Sequence, residues 1–210
     1  MSRYSLKIVA ASLIWNLCSS QETIVPLEER YSTQLPFKNL YFKDVSGYLD
    51  PFVGTWEYSD ANVYFKVEFY KFSHARGGYG LYTTIFEDEL RSFILYKVLE
   101  NGTWVTKYNT FAVIFIGDEQ ANSDSIRGNL LGVTQNEIIL SYTEPTTHCR
   151  RLKTAALELR FFEENGVEKL NWARRRPKNN RLGTGFCPDG SPLDESNFII
   201  PKDMVLTKVN

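Results

Sequence analysis

The sequence predicts a single all-β domain, most simply an antiparallel meander closed into a barrel of about 8–10 strands, with a β-sandwich as the alternative. Three observations predict it. Aromatic residues, which suit half-buried pleated surfaces, make up 14% of the chain. Residues 62–72 place apolar side chains at every second position, as a strand with one wet face does. Two Asn-Gly pairs, at 101–102 and 165–166, predict tight hairpins, which favour a meander and hence a barrel.

The first 20 residues have the three-part pattern of a secretory signal peptide. Arg3 and Lys7 give a cationic start, residues 8–17 are mostly apolar, and small residues follow. The apolar stretch is shorter than the roughly 20 residues that cross a bilayer. We therefore expect cleavage after Ser20, with Gln21 first in the mature chain, and a secreted, periplasmic or cell-envelope location. A buried N-terminal helix or strand is the structural alternative.

Cys18 leaves a second processing route open. A bacterial lipoprotein is cleaved before a cysteine that is then acylated, and a lipid anchor at Cys18 would hold the chain on a membrane. The preceding Leu17 is larger than the residue such processing prefers. We therefore favour removal of Cys18 with the signal peptide. No later apolar run has transmembrane length.

The rest of the chain divides into a lead-in and one domain. Residues 21–50 lack a sustained hydrophobic period, which predicts an extended segment lying on the domain, with a helical turn near residues 44–49. Residues 51–210 form the β-domain, in which residues 87–89 are interpreted as an acidic corner and residues 175–202 as a long loop. The predicted strands are 54–58, 62–72, 81–86, 90–99, 103–108, 111–116, 126–133, 137–142, 155–162, 167–174 and 204–209.

A Gly-x-Trp motif opens the first strand of this domain. Gly54 and Trp56, with Trp172 as a second large anchor, are the predicted structural residues. The motif resembles the start of lipocalins and fatty-acid-binding proteins, in which the Trp plugs the closed end of the barrel. The lipocalin resemblance also implies a late Arg packed on that Trp, for which Arg174 is the nearest candidate.

A closer resemblance covers nearly the whole chain. Residues 48–56 (YLDPFVGTW), 65–67 (FKV), 169–172 (KLNW) and 200–208 (IPKDMVLTK) are similar to those of an uncharacterised family of small secreted bacterial proteins, a domain of unknown function. The resemblance implies export and a β-rich single domain. It implies no catalytic residue.

Two cysteines remain after the predicted cleavage. In an up-and-down barrel, Cys149 and Cys187 would lie in loops at the same end. One interpretation is therefore a disulfide between them, which an oxidising compartment would favour. Two free thiols are the other. His148 precedes Cys149, but neighbours in an extended chain point apart, so we expect neither cysteine catalysis nor a metal site there.

A basic rim and outward aromatics are the candidate ligand-binding features. The basic residues fall in two runs near one predicted barrel end, where they would bind an anion, or would simply be solvated. The tyrosines would line a groove, or would simply pack on the sheet. The candidate ligand-binding residues are Arg150, Arg151, Arg174, Arg175, Arg176, Tyr64 and Tyr82, and Tyr70, Tyr79 and Tyr96 are the other tyrosines expected to point outward.

Several function classes have little support. The carboxylates at residues 87–89 and 163–164 are expected in turns, where they would not face each other across a cleft as a hydrolase requires. We therefore expect no catalytic residue, no cofactor and no metal, and we favour a protein that is not an enzyme. A net charge of -1 argues against a nucleic-acid partner.

The sequence thus predicts an exported binding module that captures a small amphipathic or anionic molecule in a barrel mouth. The alternative is a cell-envelope interaction or structural domain with a filled core and no ligand. The partner, small molecule or protein, is not identified by any motif.

Overall fold

The computed structural model describes residues 22–34, 39–76, 85–111, 126–145, 152–175 and 198–209. These residues contain eleven strands and two single turns of 3-10 helix, at Leu27–Glu29 and Asp50–Phe52, and no α-helix. The all-β prediction is confirmed. The strands are β1 (Thr23–Pro26), β2 (Leu40–Lys43), β3 (Gly54–Ser59), β4 (Val63–Arg76), β5 (Ile85–Glu100), β6 (Thr103–Asn109), β7 (Ile126–Val133), β8 (Glu137–Pro145), β9 (Leu152–Glu164), β10 (Val167–Arg175) and β11 (Asp203–Val209).

All eleven strands form one sheet. Its order is β1-β2-β5-β4-β3-β11-β10-β9-β8-β7, with β6 paired to β5 beside this path. Two antiparallel meanders, β3 to β6 and β7 to β11, are joined where β3 pairs with β11. The last strand of this order, β7, lies beside β5, with Cα atoms of the two strands within 8 Å of each other. No ladder between the described residues of β5 and β7 closes the sheet into a barrel.

The purely antiparallel prediction is wrong at the N-terminal edge. β1 pairs with β2 in parallel, and β2 pairs in parallel with β5 through the register Leu40↔Ile85. The described part of the lead-in contributes two strands to the sheet and contains the 3-10 turn Leu27–Glu29. Its strands are only four residues long, which is too short for a period-two pattern to stand out in the sequence.

The strongest sequence signals correspond to real elements. In β4, Phe65, Val67 and Phe69 are buried while Glu68 is exposed, which is the predicted alternation. Both Asn-Gly pairs are turns with positive φ at each residue, 50° and 78° for 101–102 and 54° and 76° for 165–166, as type I′ geometry requires.

The expected acidic corner at residues 87–89 does not exist. Glu87, Asp88 and Glu89 lie inside β5, which pairs with β4 along most of its length. The irregularity falls on β4 instead, where the register shifts between Phe72 and Ala75 and His74 adopts a φ of 59°. The run of three acidic residues suggested a corner. The apolar residues on both sides of it belong to the same strand, which continues without a break. Most of the predicted strands 81–86 and 111–116 lies outside the described residues.

The curved sheet encloses a core rich in large side chains. Trp56 and Trp172 are fully buried and lie within one apolar cluster, with residues from β3, β4, β5, β8, β9, β10 and β11. The largest fully buried side chains also include Tyr142, Phe42, Phe52, Phe65, Phe69, Leu27, Leu49, Ile85, Leu90 and Ile94. The core therefore joins strands of both meanders in one apolar cluster.

Candidate functional site

Many of the predicted site residues lie outside the part of the chain that the structure describes. These are Cys18, Cys149, Cys187, Arg150, Arg151, Arg176, Tyr79 and Tyr82. The disulfide, the lipid anchor, the signal peptide and most of the basic rim therefore stay predictions. The described candidates are Gly54, Trp56, Tyr64, Tyr70, Tyr96, Trp172, Arg174 and Arg175.

Trp56 is anchored at the start of β3. Its indole Nε1 donates to the carbonyl of Phe52 at 2.9 Å, across the 3-10 turn that precedes the strand. Gly54 has a φ of 123°, a conformation that side-chain-bearing residues rarely adopt, and a Cβ there would lie 3.2 Å from Lys208 Cε. Gly54 thus allows both the backbone turn and the close approach of Lys208.

The cation above Trp56 is Lys208, and the expectation that Arg174 occupies this place is wrong. Lys208 Nζ lies 5.3 Å from the Trp56 ring centroid and pairs with Glu168 at 2.7 Å. The reason is topological: β11 is the neighbour of β3, with Lys208 opposite Trp56, whereas Arg174 is one strand further away on β10.

Arg174 and Arg175 are already engaged by the protein. Arg174 Nη1 donates to the carbonyl of Ile200 at 2.5 Å, and its guanidinium lies 4.0 Å from the ring centroid of Phe198. Arg175 is exposed and pairs with Asp203 at 2.9 Å and with Glu158 at 3.3 Å. These two members of the predicted basic rim therefore brace the chain around β10, and carboxylates partly neutralise Arg175.

Tyr64 lies on the outer face of β4, as expected. Its hydroxyl donates to Glu57 Oε1 at 2.9 Å, and burial, with this bond and the nearby negative charge, raises the pKa of Tyr64 to about 12. Tyr70 shares that face and stacks on Phe93. Tyr96 does not, because it pairs with the core residue Phe65 and is buried, so its predicted outward position is wrong.

Trp172 lies in an aromatic site, which we define as Phe65, Tyr142, Trp172 and Phe198. The Trp172 ring packs edge-on against Phe65 and Tyr142, with centroids 5.1 and 5.8 Å away, and Tyr142 contacts Phe198 at 5.9 Å. Four strands or loops converge here: β4, β8, β10 and the stretch before β11. Such a convergence of rings gives a large apolar surface inside the sheet.

The aromatic site contains one unsatisfied donor. Trp172 is fully buried, and in the part of the chain that the structure describes no group accepts a hydrogen bond from its Nε1. A buried polar group without a partner costs about 1–3 kcal/mol. Trp56 Nε1, equally buried, has its partner. The sequence marked Trp172 only as a structural anchor, because no pattern reveals whether an indole N–H is satisfied.

A second polar cluster, missed at the sequence level, surrounds the first half of β5. Asp88 accepts hydrogen bonds from the Tyr41 hydroxyl at 2.5 Å and from the backbone N–H groups of Asp44 and His74. Burial, assisted by this bond and charge, raises the pKa of Tyr41 to about 12. Asp88 thereby ties β5 to the end of β2 and to the irregular part of β4, which is a bracing role.

Asp44 and Lys71 extend this bracing. Asp44 accepts from the backbone N–H groups of Tyr48 and Leu49 at 2.8 and 3.1 Å, which fixes the loop before β3. Lys71 Nζ lies 2.9 Å from Asp44 and also binds Asp50. Every one of these groups has a structural partner.

Glu87 differs from its neighbours. Its carboxylate is fully buried and lies 3.0 Å from Arg30 Nη1, which is itself 4% exposed. The contact is an ion pair by distance only, since neither Glu87 oxygen accepts a well-directed hydrogen bond. Burial raises the pKa of Glu87 to about 7 against the attraction of Arg30, and Glu89 adds repulsion. The only sequence feature that could have indicated a buried carboxylate here is the run of three acidic residues, 87–89, between apolar residues.

Neither cluster resembles a metal centre. No group of three or more His, Cys, Asp or Glu side chains with suitable placement occurs within the described ranges. Nor does any helix there reach the length and apolarity needed to cross a membrane.

Comparison with known families places the whole chain in one of them. A family model described as "Family of unknown function (DUF6705)" matches residues 1–209. The chain belongs to DUF6705. The expected resemblance to a domain of unknown function is thereby confirmed, while secretion and bacterial origin are not part of that description. No curated protein and no solved structure gives a significant match.

Proposed function

We propose that this DUF6705 chain is an exported binding module whose curved sheet acts as a lipocalin-like barrel and holds a small amphipathic molecule at the aromatic site. The pairing of β3 with β11 and the approach of β7 to β5 support a barrel-like enclosure. The signal-peptide pattern of residues 1–20 supports export.

The observation that carries the proposal is the buried indole N–H of Trp172. Buried donors are nearly always satisfied, and an unsatisfied one deserves a functional explanation. A ligand with a carbonyl or ether oxygen would accept from Trp172 Nε1 while its apolar body packs on Phe65, Tyr142 and Phe198. Small-molecule sites have this character, with apolar walls and a few placed polar groups.

The described charges favour a neutral acceptor over an anion. Arg174, the cation nearest the aromatic site, already donates to Ile200 and covers Phe198. Arg175 is paired with two carboxylates. We therefore narrow the amphipathic-or-anionic expectation to a neutral ligand that accepts one hydrogen bond.

The experiment compares two ligands of the same shape, acetophenone and ethylbenzene, which differ by the presence of a carbonyl acceptor. Saturation-transfer NMR would measure their binding to the wild-type chain and to Trp172→Phe. We expect the wild type to prefer acetophenone by about tenfold, the value of one hydrogen bond of roughly 1.4 kcal/mol. The preference should vanish in Trp172→Phe.

Trp104→Phe is the matched control, because Trp104 is a half-exposed indole on β6, away from the core cluster. It should keep the preference. Equal binding of the two ligands to the wild type, or a preference that survives in Trp172→Phe, would refute the role of the Trp172 N–H.

A structural or interaction domain with a filled core is the second candidate. The observation that favours it is the complete burial of the large interior side chains, including both core tryptophans. In that case neither ligand would bind at any concentration below its solubility limit.

A further inference from the structure

The N-terminal strap, residues 22–34, lies where β7 approaches β5 without a ladder between their described residues. We call this place the seam between β5 and β7. The 3-10 turn Leu27–Glu29 lies against both β2 and β7, and β2 pairs with β5. The strap therefore links the β2–β5 side of the seam to β7, whose described residues form no ladder with those of β5.

The apolar attachment of the strap is small. β1 has a four-residue parallel ladder to β2, and Val25 and Leu27 are the strap residues buried in the core cluster. Glu28 adds a hydrogen bond from Ser46 at 2.7 Å. A short edge element with few buried contacts opens more readily than the central strands, so the strap is suited to local opening.

Two ionisable contacts fasten the strap to the domain. Arg30 pairs with the fully buried Glu87 at 3.0 Å, and Glu22 contacts His74 Nε2 at 2.9 Å. The first contact lies in the interior and the second at the surface.

The surroundings of Glu87 make its charge costly. Its register partners are Phe42 on β2 and Ala75 on β4, both apolar. The charged groups that act on it are Arg30, which attracts, and Glu89, which repels. A buried pair with imperfect hydrogen bonds gains less from attraction than it loses by leaving water.

We propose that the strap is a pH-controlled cover of the seam, which is held closed while Glu87 is protonated and loosens when Glu87 ionises. Opening transfers Arg30 and Glu87 into water, where the ionised carboxylate is no longer penalised. The closed state thus binds a proton that the open state releases, and rising pH favours opening.

The structure sets the pH range and a ceiling for the effect. The pKa of Glu87 is about 7 in the closed state and returns toward its ordinary 4.5 in water. Opening should therefore increase between these pH values and level off above them. From these two pKa values the ceiling is about 300-fold, and we expect about tenfold or more.

Hydrogen–deuterium exchange of the full chain from pH 5 to pH 8 tests this. Rates are divided by the intrinsic rate at each pH, so that only protection is compared. Protection of residues 23–30 should fall by about tenfold or more across this range, while protection of β10 (Val167–Arg175) stays constant. A strap whose protection does not change with pH, or changes in parallel with β10, would overturn the proposal.

Variants separate Glu87 from other titrating groups. Glu87→Gln should abolish this pH-dependent loss of protection. Glu89→Gln is the matched control, because Glu89 is a nearly buried acid two residues away on the same strand and pairs with Arg91. In Glu89→Gln, the protection of residues 23–30 should still fall as the pH rises.

Arg30→Met/Glu87→Met guards against misfolding of the single variant, because replacing a buried ion pair by apolar residues is often neutral or stabilising. This chain should keep its strap closed at every pH. An undiminished loss of protection in Glu87→Gln or in the Met pair would assign the effect to another group and refute the proposal.

Discussion

The two core tryptophans offer a matched test of the unsatisfied donor. Both are fully buried, and both contact another aromatic ring edge-on. They differ in one respect: Trp56 Nε1 donates to Phe52, whereas no described group accepts from Trp172 Nε1. The substitutions Trp56→Phe and Trp172→Phe remove similar volume, so the difference between their effects isolates the hydrogen bond.

The magnitudes follow from what each substitution leaves behind. Trp56→Phe creates a cavity, loses a hydrogen bond and leaves the buried Phe52 carbonyl without a partner. Trp172→Phe creates a comparable cavity but removes a donor that was costing free energy. We expect Trp56→Phe to lower the free energy of unfolding by about 2–6 kcal/mol more than Trp172→Phe, because each of the two unsatisfied groups is worth about 1–3 kcal/mol.

Urea denaturation followed by far-ultraviolet circular dichroism measures this difference without relying on the fluorescence of the residues that are changed. Equal slopes with denaturant are required for the two midpoints to be compared. Equal destabilisation, or a larger loss in Trp172→Phe, would refute the reasoning, because Trp172 Nε1 would then have a satisfied partner in the folded protein.

Three further predictions concern single groups. Gly54→Ala should lower stability by about 1–3 kcal/mol because of its φ of 123°, while Gly132→Ala, with ordinary contacts to Ile139, should be nearly neutral in the same urea assay. Asp88→Asn should lower the melting temperature more than Asp60→Asn, because Asp88 is a buried acceptor of three donors and Asp60 an exposed one. Backbone N–H groups and the Tyr58 hydroxyl hold the pKa of Asp60 below its usual value, so its stabilisation is present above that value and lost as pH falls. The acid-side decrease in melting temperature should be smaller in Asp60→Asn; an identical decrease would contradict this.

Local patterns predicted much of the fold. The alternation in β4 and the two Asn-Gly turns depend on neighbouring residues alone, and the structure places all three as expected. Gly54 and Trp56 also followed from a local motif. Long strands with one buried face can be recognised in a sequence, because the alternation of apolar and polar residues repeats several times within a single element.

Contacts between segments that are distant in the chain could not be predicted from the sequence. The parallel strands β1 and β2 are too short to show a period, and the buried Glu87 contacts Arg30, which lies 57 residues earlier. The cation over Trp56 proved to be Lys208, because strand order decides which side chain reaches the ring. The missing partner of Trp172 Nε1 is visible only when every neighbouring acceptor has a position.

The basic rim shows how charge patterns mislead about ligands. A run of arginines suggested an anion site, yet the two described members bind a carbonyl, a ring and two carboxylates of the protein. Arginine side chains often serve packing and bracing as much as ligand binding. Their availability follows from geometry, which the sequence does not contain.

Native mass spectrometry of the protein purified from its own cells tests the central claim, an exported module that carries a small molecule, most directly. We predict a chain that begins at Gln21 and carries a non-covalent adduct that denaturation releases. The fraction of chains that carry the adduct should be clearly smaller for Trp172→Phe prepared in the same way. A chain that still begins at Met1 and has the mass of the bare polypeptide would contradict both the export and the binding proposed for it.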